Sequence, residues 1–169
     1  MKRKGFNMKK IIASILLVFT FAVFGNEVLY RVEMSDAFLA KNAAKKRYTL
    51  QKVEGKNCLY LKSGNVVEFK LPGELSNFEG ETLRVTYRYK LKNVPKPAKA
   101  HLGFKIMGSY KYDGKSHCGH NPSPYGTKDW TWEGYNFVIR KNAKDIKLSV
   151  ILPAGEAWIS DLTVSYPKK

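Results

Sequence analysis

An all-β fold of two antiparallel sheets packed as a sandwich is what this chain's pattern predicts, and three observations predict it. Glu81 to Lys92 alternates without a break, with Leu83, Val85, Tyr87, Tyr89 and Leu91 on one side and Arg84, Thr86, Arg88, Lys90 and Lys92 on the other. Three later runs repeat the pattern: Tyr135, Phe137 and Ile139; Ile146, Leu148, Val150 and Leu152; Trp158, Ser160, Leu162 and Val164. A period of two marks a half-buried strand, because successive side chains on an extended backbone point to opposite faces. Third, the runs are short and are separated by turn chemistry, Lys-Asn-Ala-Lys and Pro-Ala-Gly-Glu, with no helix between them. Strands joined this way pair antiparallel and stack as a sandwich.

The elements follow in order. Lys2, Arg3, Lys4, Lys9 and Lys10 precede an apolar run from Ile11 to Phe24. A positive start and an apolar run of about fourteen residues make a signal peptide, too short for a membrane span. Val23 and Gly25 place cleavage after Gly25, so residues 1–25 are the leader and 26–169 form one domain, with no membrane span left after cleavage. Met8 is an equally good start. No cysteine follows the cleavage point, which argues against lipid anchoring.

Glu27 to Val32 reads as a lead-in strand, and Ser35-Asp36 caps a brief helix or opens an irregular loop. Tyr48 to Val53, Cys58 to Lys62 and Val66 to Leu71 are strands, punctuated by Gly55-Lys-Asn, Ser63-Gly-Asn and Pro72-Gly-Glu. Pro95-Lys-Pro-Ala ends the long strand, and His101 to Met107 follows it. The alternation rule yields roughly eight or nine strands.

Thirty Lys and Arg face fourteen Asp and Glu, for a formal charge of +16. An exported chain this basic meets acidic glycans or anionic surfaces, or uses its charge for solubility alone. No nucleic-acid motif is present. Cys58 and Cys118 in an oxidising compartment predict a disulfide. It would close a loop of about sixty residues and contribute roughly 4 kcal/mol on the chain-entropy model.

Two stretches carry a resemblance. One is Thr127-Lys-Asp129-Trp130 ahead of an aromatic strand; the other is Gly155-x-Ala-Trp158-Ile-Ser-Asp161-Leu at the end. With Gly-Lys-Asn-x-Leu-x-Leu and Gly-Glu-Thr-Leu-x-Val-x-Tyr before them, the order from Tyr48 to Tyr166 resembles the galactose-binding-like jelly rolls, among them the carbohydrate-binding modules of bacterial glycoside hydrolases. The resemblance implies a jelly-roll sandwich, a sugar site in many members, and a structural calcium whose carboxylate here is Asp161. Many relatives have two adjacent acids where this chain has Ser160-Asp161. It also implies that Trp130 is structural, and Trp158 reads as core.

Gly108 to Trp132 reads as a long loop bearing Tyr110, Tyr112, Tyr125, Trp130 and Trp132 among glycine, proline and polar residues. Sugar rings stack their C–H faces on aromatic rings and need polar groups for their hydroxyls. Tyr110, Tyr112, Tyr125 and Trp132, with Asp113 and Asn121, are therefore the candidate glycan site, and packing of the loop upon itself is the bland alternative. Arg84, Arg88 and Lys90 form a basic strand face, extended by Lys105 and Arg140 if their strands are neighbours. Of these, Arg88 joins the candidate site, for carboxylate or sulfate groups. His117-Cys118-x-His120 invites a zinc or copper reading, with His101 or Cys58 to complete it. No opposed carboxyl pair, Gly-x-Ser-x-Gly or His-Glu-x-x-His is evident, so the chain is not expected to be an enzyme. Two functions remain: a secreted, periplasmic or surface module binding polysaccharide or glycan, acidic ones included, or a structural sandwich that docks a protein partner.

Overall fold

The computed structural model describes residues 27–44, 47–78, 80–140 and 142–167, so the leader expected at residues 1–25 lies outside them. Among the described residues are eleven strands. They are β1 (Glu27–Arg31), β2 (Ala43–Ala44), β3 (Thr49–Val53), β4 (Lys56–Lys62), β5 (Asn65–Lys70), β6 (Thr82–Val94), β7 (Lys105–Tyr112), β8 (Lys115–His120), β9 (Gly126–Val138), β10 (Lys144–Leu152) and β11 (Glu156–Tyr166). Sheet 1 runs β3-β4-β11-β6-β9, with β1 also paired to β11, and sheet 2 runs β2-β5-β10-β7-β8. Every pairing is antiparallel. The predicted sandwich is present.

The inward rows are those the alternation selects. Leu83, Val85, Tyr87, Tyr89 and Leu91 of β6 face Leu148, Val150 and Leu152 of β10 across one buried core, with Leu59, Leu61, Val67 and Phe69 beside them. Each fully buried leucine stabilises the sandwich by about 2 kcal/mol. Helix α1 (Asp36–Asn42) is the predicted brief helix. Ser35 caps it by accepting from the Phe38 N–H at 3.3 Å, and Leu39 closes one end of the core.

Three expectations are corrected. The long loop does not exist, because Lys105 to His120 is a hairpin, β7 paired with β8. Its turn is Asp113-Gly114, both left-handed at φ 48° and 68°, the pairing that suits a two-residue hairpin. Second, Trp158 and Ser160 do not share a face with Leu162 and Val164. The register slips between Ser160 and Thr163, and Asp161 is left-handed at φ 54°. This bulge reverses the alternation, so Ala157, Ile159, Leu162 and Val164 point inward while Trp158 and Ser160 point outward.

Third, the cysteines do not pair. Cys58 sits on the outer side of β4 in sheet 1, Cys118 lies on β8 in sheet 2, and both are free. The core of the sandwich separates them, far beyond the reach of a disulfide.

One turn is over-determined. Gly155 between β10 and β11 has φ 88°, and a Cβ there would stand 2.8 Å from the Asn93 carbonyl oxygen. Gly155→Ala is therefore expected to cost about 2 kcal/mol or more, read as a lowered urea midpoint. Gly73→Ala, at a glycine with an ordinary φ and open space around it, is the control.

Candidate functional site

The outer face of sheet 1 gathers chemistry that the sequence scatters. The β6 register sets Arg88 opposite Trp132 on β9 and opposite Ser160 on β11. One step along, Thr86 lies between Gly134 and Thr163, and the Thr86 and Thr163 hydroxyls are 2.7 Å apart. Gly134 has no room for a side chain, since a Cβ would meet the Val85 carbonyl oxygen at 2.7 Å. On this side of it no side chain covers Trp132, which is 62% exposed.

The bulge at Asp161 shapes this face into a notch. Strand β6 occupies one edge of β11, so β4 and β1 must share the other. Strand β4 pairs up to Ile159 and β1 begins at Thr163, which leaves a gap at Ser160 and Asp161. Around the gap lies a recess of about 630 Å³. Thr86, Ser160, Asp161 and Thr163 form its floor, and Arg31, Glu33, Lys56, Asn57 and Trp132 its walls. Asn57 ties the walls together by donating from Nδ2 to the Met34 carbonyl at 3.1 Å.

Beside the notch runs an aromatic strip. The Arg88 guanidinium lies 4.8 Å from the Trp130 ring centre, which fixes both side chains. Lys90 pairs with Asp129 at 3.1 Å, and the backbone N–H of Trp130 and Lys90 together hold the Asp129 carboxyl below its ordinary pKa. Trp158 packs against Tyr60, ring centres 5.0 Å apart and planes tilted by 31°, and donates its indole N–H to Gln51 at 2.8 Å. The resemblance implied a structural Trp130, and the alternation put Trp158 in the core. Each is half-buried on the outer face instead: the bulge at Asp161 reverses the faces of β11 and turns Trp158 outward, and Trp130 lies two residues from the outward Trp132.

The Tyr60 hydroxyl donates to Glu156, which Lys92 also contacts at 3.3 Å. The Tyr60 hydrogen bond, and then Lys92, hold the Glu156 carboxyl below its usual range, while burial and Glu156 push Tyr60 up to about 12. A depressed carboxyl contributes stability that is present above its unfolded pKa, about 4.3, and lost as pH falls through the folded value. Between pH 6 and pH 3 the wild-type urea midpoint is expected to fall further than that of Glu156→Gln.

The sequence-predicted residues separate. Trp132 and Arg88 belong to the notch and its strip, and Asp161 lies in the notch floor. Tyr125 is 46% exposed but lines a different recess, about 700 Å³, with Tyr89, Pro97, Pro122, Pro124, Lys128 and Glu133. Its ring carries the Lys96 ammonium at 5.7 Å. Tyr110 is buried, stacked on His117 at 5.5 Å, because its position on β7 points inward. Tyr112 packs against the core beneath Arg140, 5.6 Å away. Asp113 forms the hairpin turn. Asn121 is fully buried, and its side-chain oxygen accepts from the Ile106 N–H at 2.7 Å, closing the end of β7. These four build the fold rather than a shared surface. His117 turns inward while Cys118 is exposed, so the expected His-Cys-His trio does not converge.

The calcium expected at Asp161 is not matched by its surroundings. The Ser160 hydroxyl donates to the Asp161 carboxylate at 2.9 Å, and the recess sets one further carboxylate, Glu33, against the two cations Arg31 and Lys56. Among the described residues no three His, Cys, Asp or Glu side chains converge, and calcium takes six to eight oxygens. A chelator is expected to leave the melting temperature unchanged.

Tyr60, Gln51, Asn57, Glu33, Arg31 and Thr163 were missed as site residues. Each is unremarkable in sequence and becomes a neighbour only through cross-strand register.

Neither protein-family models nor curated proteins match the sequence. Solved structures do match the fold. The xylan-binding domain of CBM 22, formally the x6b domain, superposes at TM-score 0.60 with 12% identity, covering 85% of this chain and 97% of that one. The CBM22-1 xylan-binding domain of Paenibacillus barcinonensis Xyn10C gives 0.60 and 10%, covering 86% and 97%. The CBM22-1–GH10 modules of Clostridium thermocellum Xyn10B, complexed with xylohexaose, give 0.59 and 12%, covering 85% of this chain. This chain spans only 29% of that longer protein. It shares the carbohydrate-binding-module fold. The resemblance read from Tyr48 to Tyr166 thus holds for the backbone, while identity this low leaves the site to be argued from its own residues. Among the described residues no helix is long and apolar enough to cross a membrane.

Proposed function

We propose that this protein is a secreted, non-catalytic carbohydrate-binding module that holds a glycan in the notch on the outer face of sheet 1. The observation that carries this reading is the exposure of Trp132, 62%, at the wall of a recess that sets hydroxyl, amide, carboxylate and cationic groups beside the apolar Val28, Val32 and Met34. A large indole left in water has a cost that a stacked pyranose face removes. Glu33 and Asp161 accept from sugar hydroxyls, while Arg31, Lys56 and Asn57 donate to them. Arg88, braced on Trp130, extends the contact toward the Tyr60–Trp158 pair. The cations also suit a uronate or sulfate in the chain.

The loop once expected to hold the sugar contributes only Trp132 to this site. Binding is expected to quench or blue-shift indole emission as oligosaccharide is titrated in. Trp132→Ala removes that signal and the binding with it. Emission that responds equally in Trp132→Ala contradicts the assignment. Export through the leader predicts Asn26 as the first residue of protein recovered outside the cell, read by mass spectrometry.

A further inference from the structure

We propose that the outer face of sheet 2 carries a monovalent copper site built from Cys118, His120 and Met107. The β7–β8 register sets Met107 opposite His120 and Ser109 opposite Cys118. The alternate positions face inward: Cβ atoms at Gly108 and Gly119 would meet Phe137 at 3.0 and 2.8 Å, and His117 stacks on Tyr110. Met107, Cys118 and His120 therefore share the outer face at the end of the hairpin. Facing pairs have Cβ atoms about 5 Å apart and diagonal pairs about 7 Å, within reach of side chains as long as Met and His converging on one ion.

The histidine is already oriented for the task. Its Nδ1 lies 2.7 Å from the Asn121 carbonyl oxygen. A carbonyl only accepts, so Nδ1 carries the proton and Nε2 is left with its lone pair. This backbone clamp on the second ring nitrogen is the arrangement that fixes the tautomer of metal-bound histidines. Cys118 is exposed and has no cysteine partner, and the half-buried Met107 lines the same recess of about 260 Å³, beside which the register sets His120. The two ammonium groups in that recess are engaged elsewhere, Lys111 by Asp145 at 3.1 Å and Lys147 by Glu68 at 3.9 Å.

The donor set selects the metal. Thiolate, thioether and imidazole together are soft, which favours Cu(I); calcium and magnesium want oxygen, and zinc sites rarely use a thioether. Three donors suit the low coordination number of Cu(I). On binding, the Cys118 S–H bond breaks, its proton leaves to solvent and the S–Cu bond forms; no electron is transferred. This site is on the opposite sheet from the notch and does not depend on the glycan reading.

The test is a Cu(I) titration of the purified, reduced protein under anaerobic conditions, in competition with bicinchoninate. The expected result is one Cu(I) per chain with a thiolate-to-copper absorption in the ultraviolet. Cys118→Ser should remove that absorption, and Met107→Leu and His120→Gln should each weaken binding by about tenfold or more. His117→Phe keeps the ring stack on Tyr110 and should bind as wild type, as should Cys58→Ala. Circular dichroism checks that each variant is folded. Full binding by Cys118→Ser, no effect of Met107→Leu and His120→Gln, loss of binding in Cys58→Ala, or tighter retention of Zn(II) than Cu(I) would each overturn the assignment.

Discussion

Trp132→Ala is expected to lose glycan affinity by at least about tenfold, close to 1.4 kcal/mol, while the melting temperature stays within a degree or two of wild type. The two halves of this result have separate causes. The ring is 62% exposed, so it contributes little to folding, and surface substitutions away from special features stay within about ±0.5 kcal/mol. Its position at the notch wall, opposite Arg88 in the strand register, makes it the aromatic surface that a sugar ring can cover there. Tyr125→Ala is the matched comparison. It removes an exposed aromatic from the other recess and is expected to leave notch affinity unchanged.

Tyr110→Ala is expected to do the opposite. Tyr110 is buried between the sheets, stacked on His117. Truncating a large buried aromatic costs about 3–5 kcal/mol, because apolar area is lost and a cavity remains. For a domain of this size that is a fall in melting temperature on the order of 10 °C. Any loss of glycan binding should follow the fraction unfolded and disappear when binding is measured well below the transition. A Tyr110→Ala protein that melts like wild type but fails to bind would return the site to the β7–β8 hairpin.

The contrast between these residues shows where sequence reading works on this chain. The unbroken alternation of Glu81 to Lys92 placed Leu83 to Leu91 inside and Arg84 to Lys92 outside, and β6 has that arrangement. The same holds for Tyr135, Phe137 and Ile139 and for β10. Alternation fails where the backbone adds a residue. At Asp161 the bulge reverses the faces, so Trp158 was assigned inward and stands outward. A bulge is a one-residue event with no periodic trace, and only the non-glycine left-handed Asp161 betrays it.

The hairpin was legible but missed. Asp113-Gly114 between Ile-x-Gly-x-Tyr-x-Tyr and Ser-His-Cys-Gly-His is strong turn chemistry. Reading the aromatics as loop residues put Tyr110 on the surface. The notch itself was not legible. Its lining comes from β1, β4, β6, β9 and β11, and no local rule states which strand lies beside which. Arg88 was singled out from its strand face, and Trp132 from its composition; register alone joins them.

A glycan array probed side by side with the wild-type protein and Trp132→Ala, both verified as folded, decides whether the notch binds sugar. Wild type is expected to bind a defined set of saccharides and Trp132→Ala to lose them. Wild-type silence across the array would contradict it and favour a sandwich that docks a protein partner. Equal binding by both proteins would contradict the notch as the site.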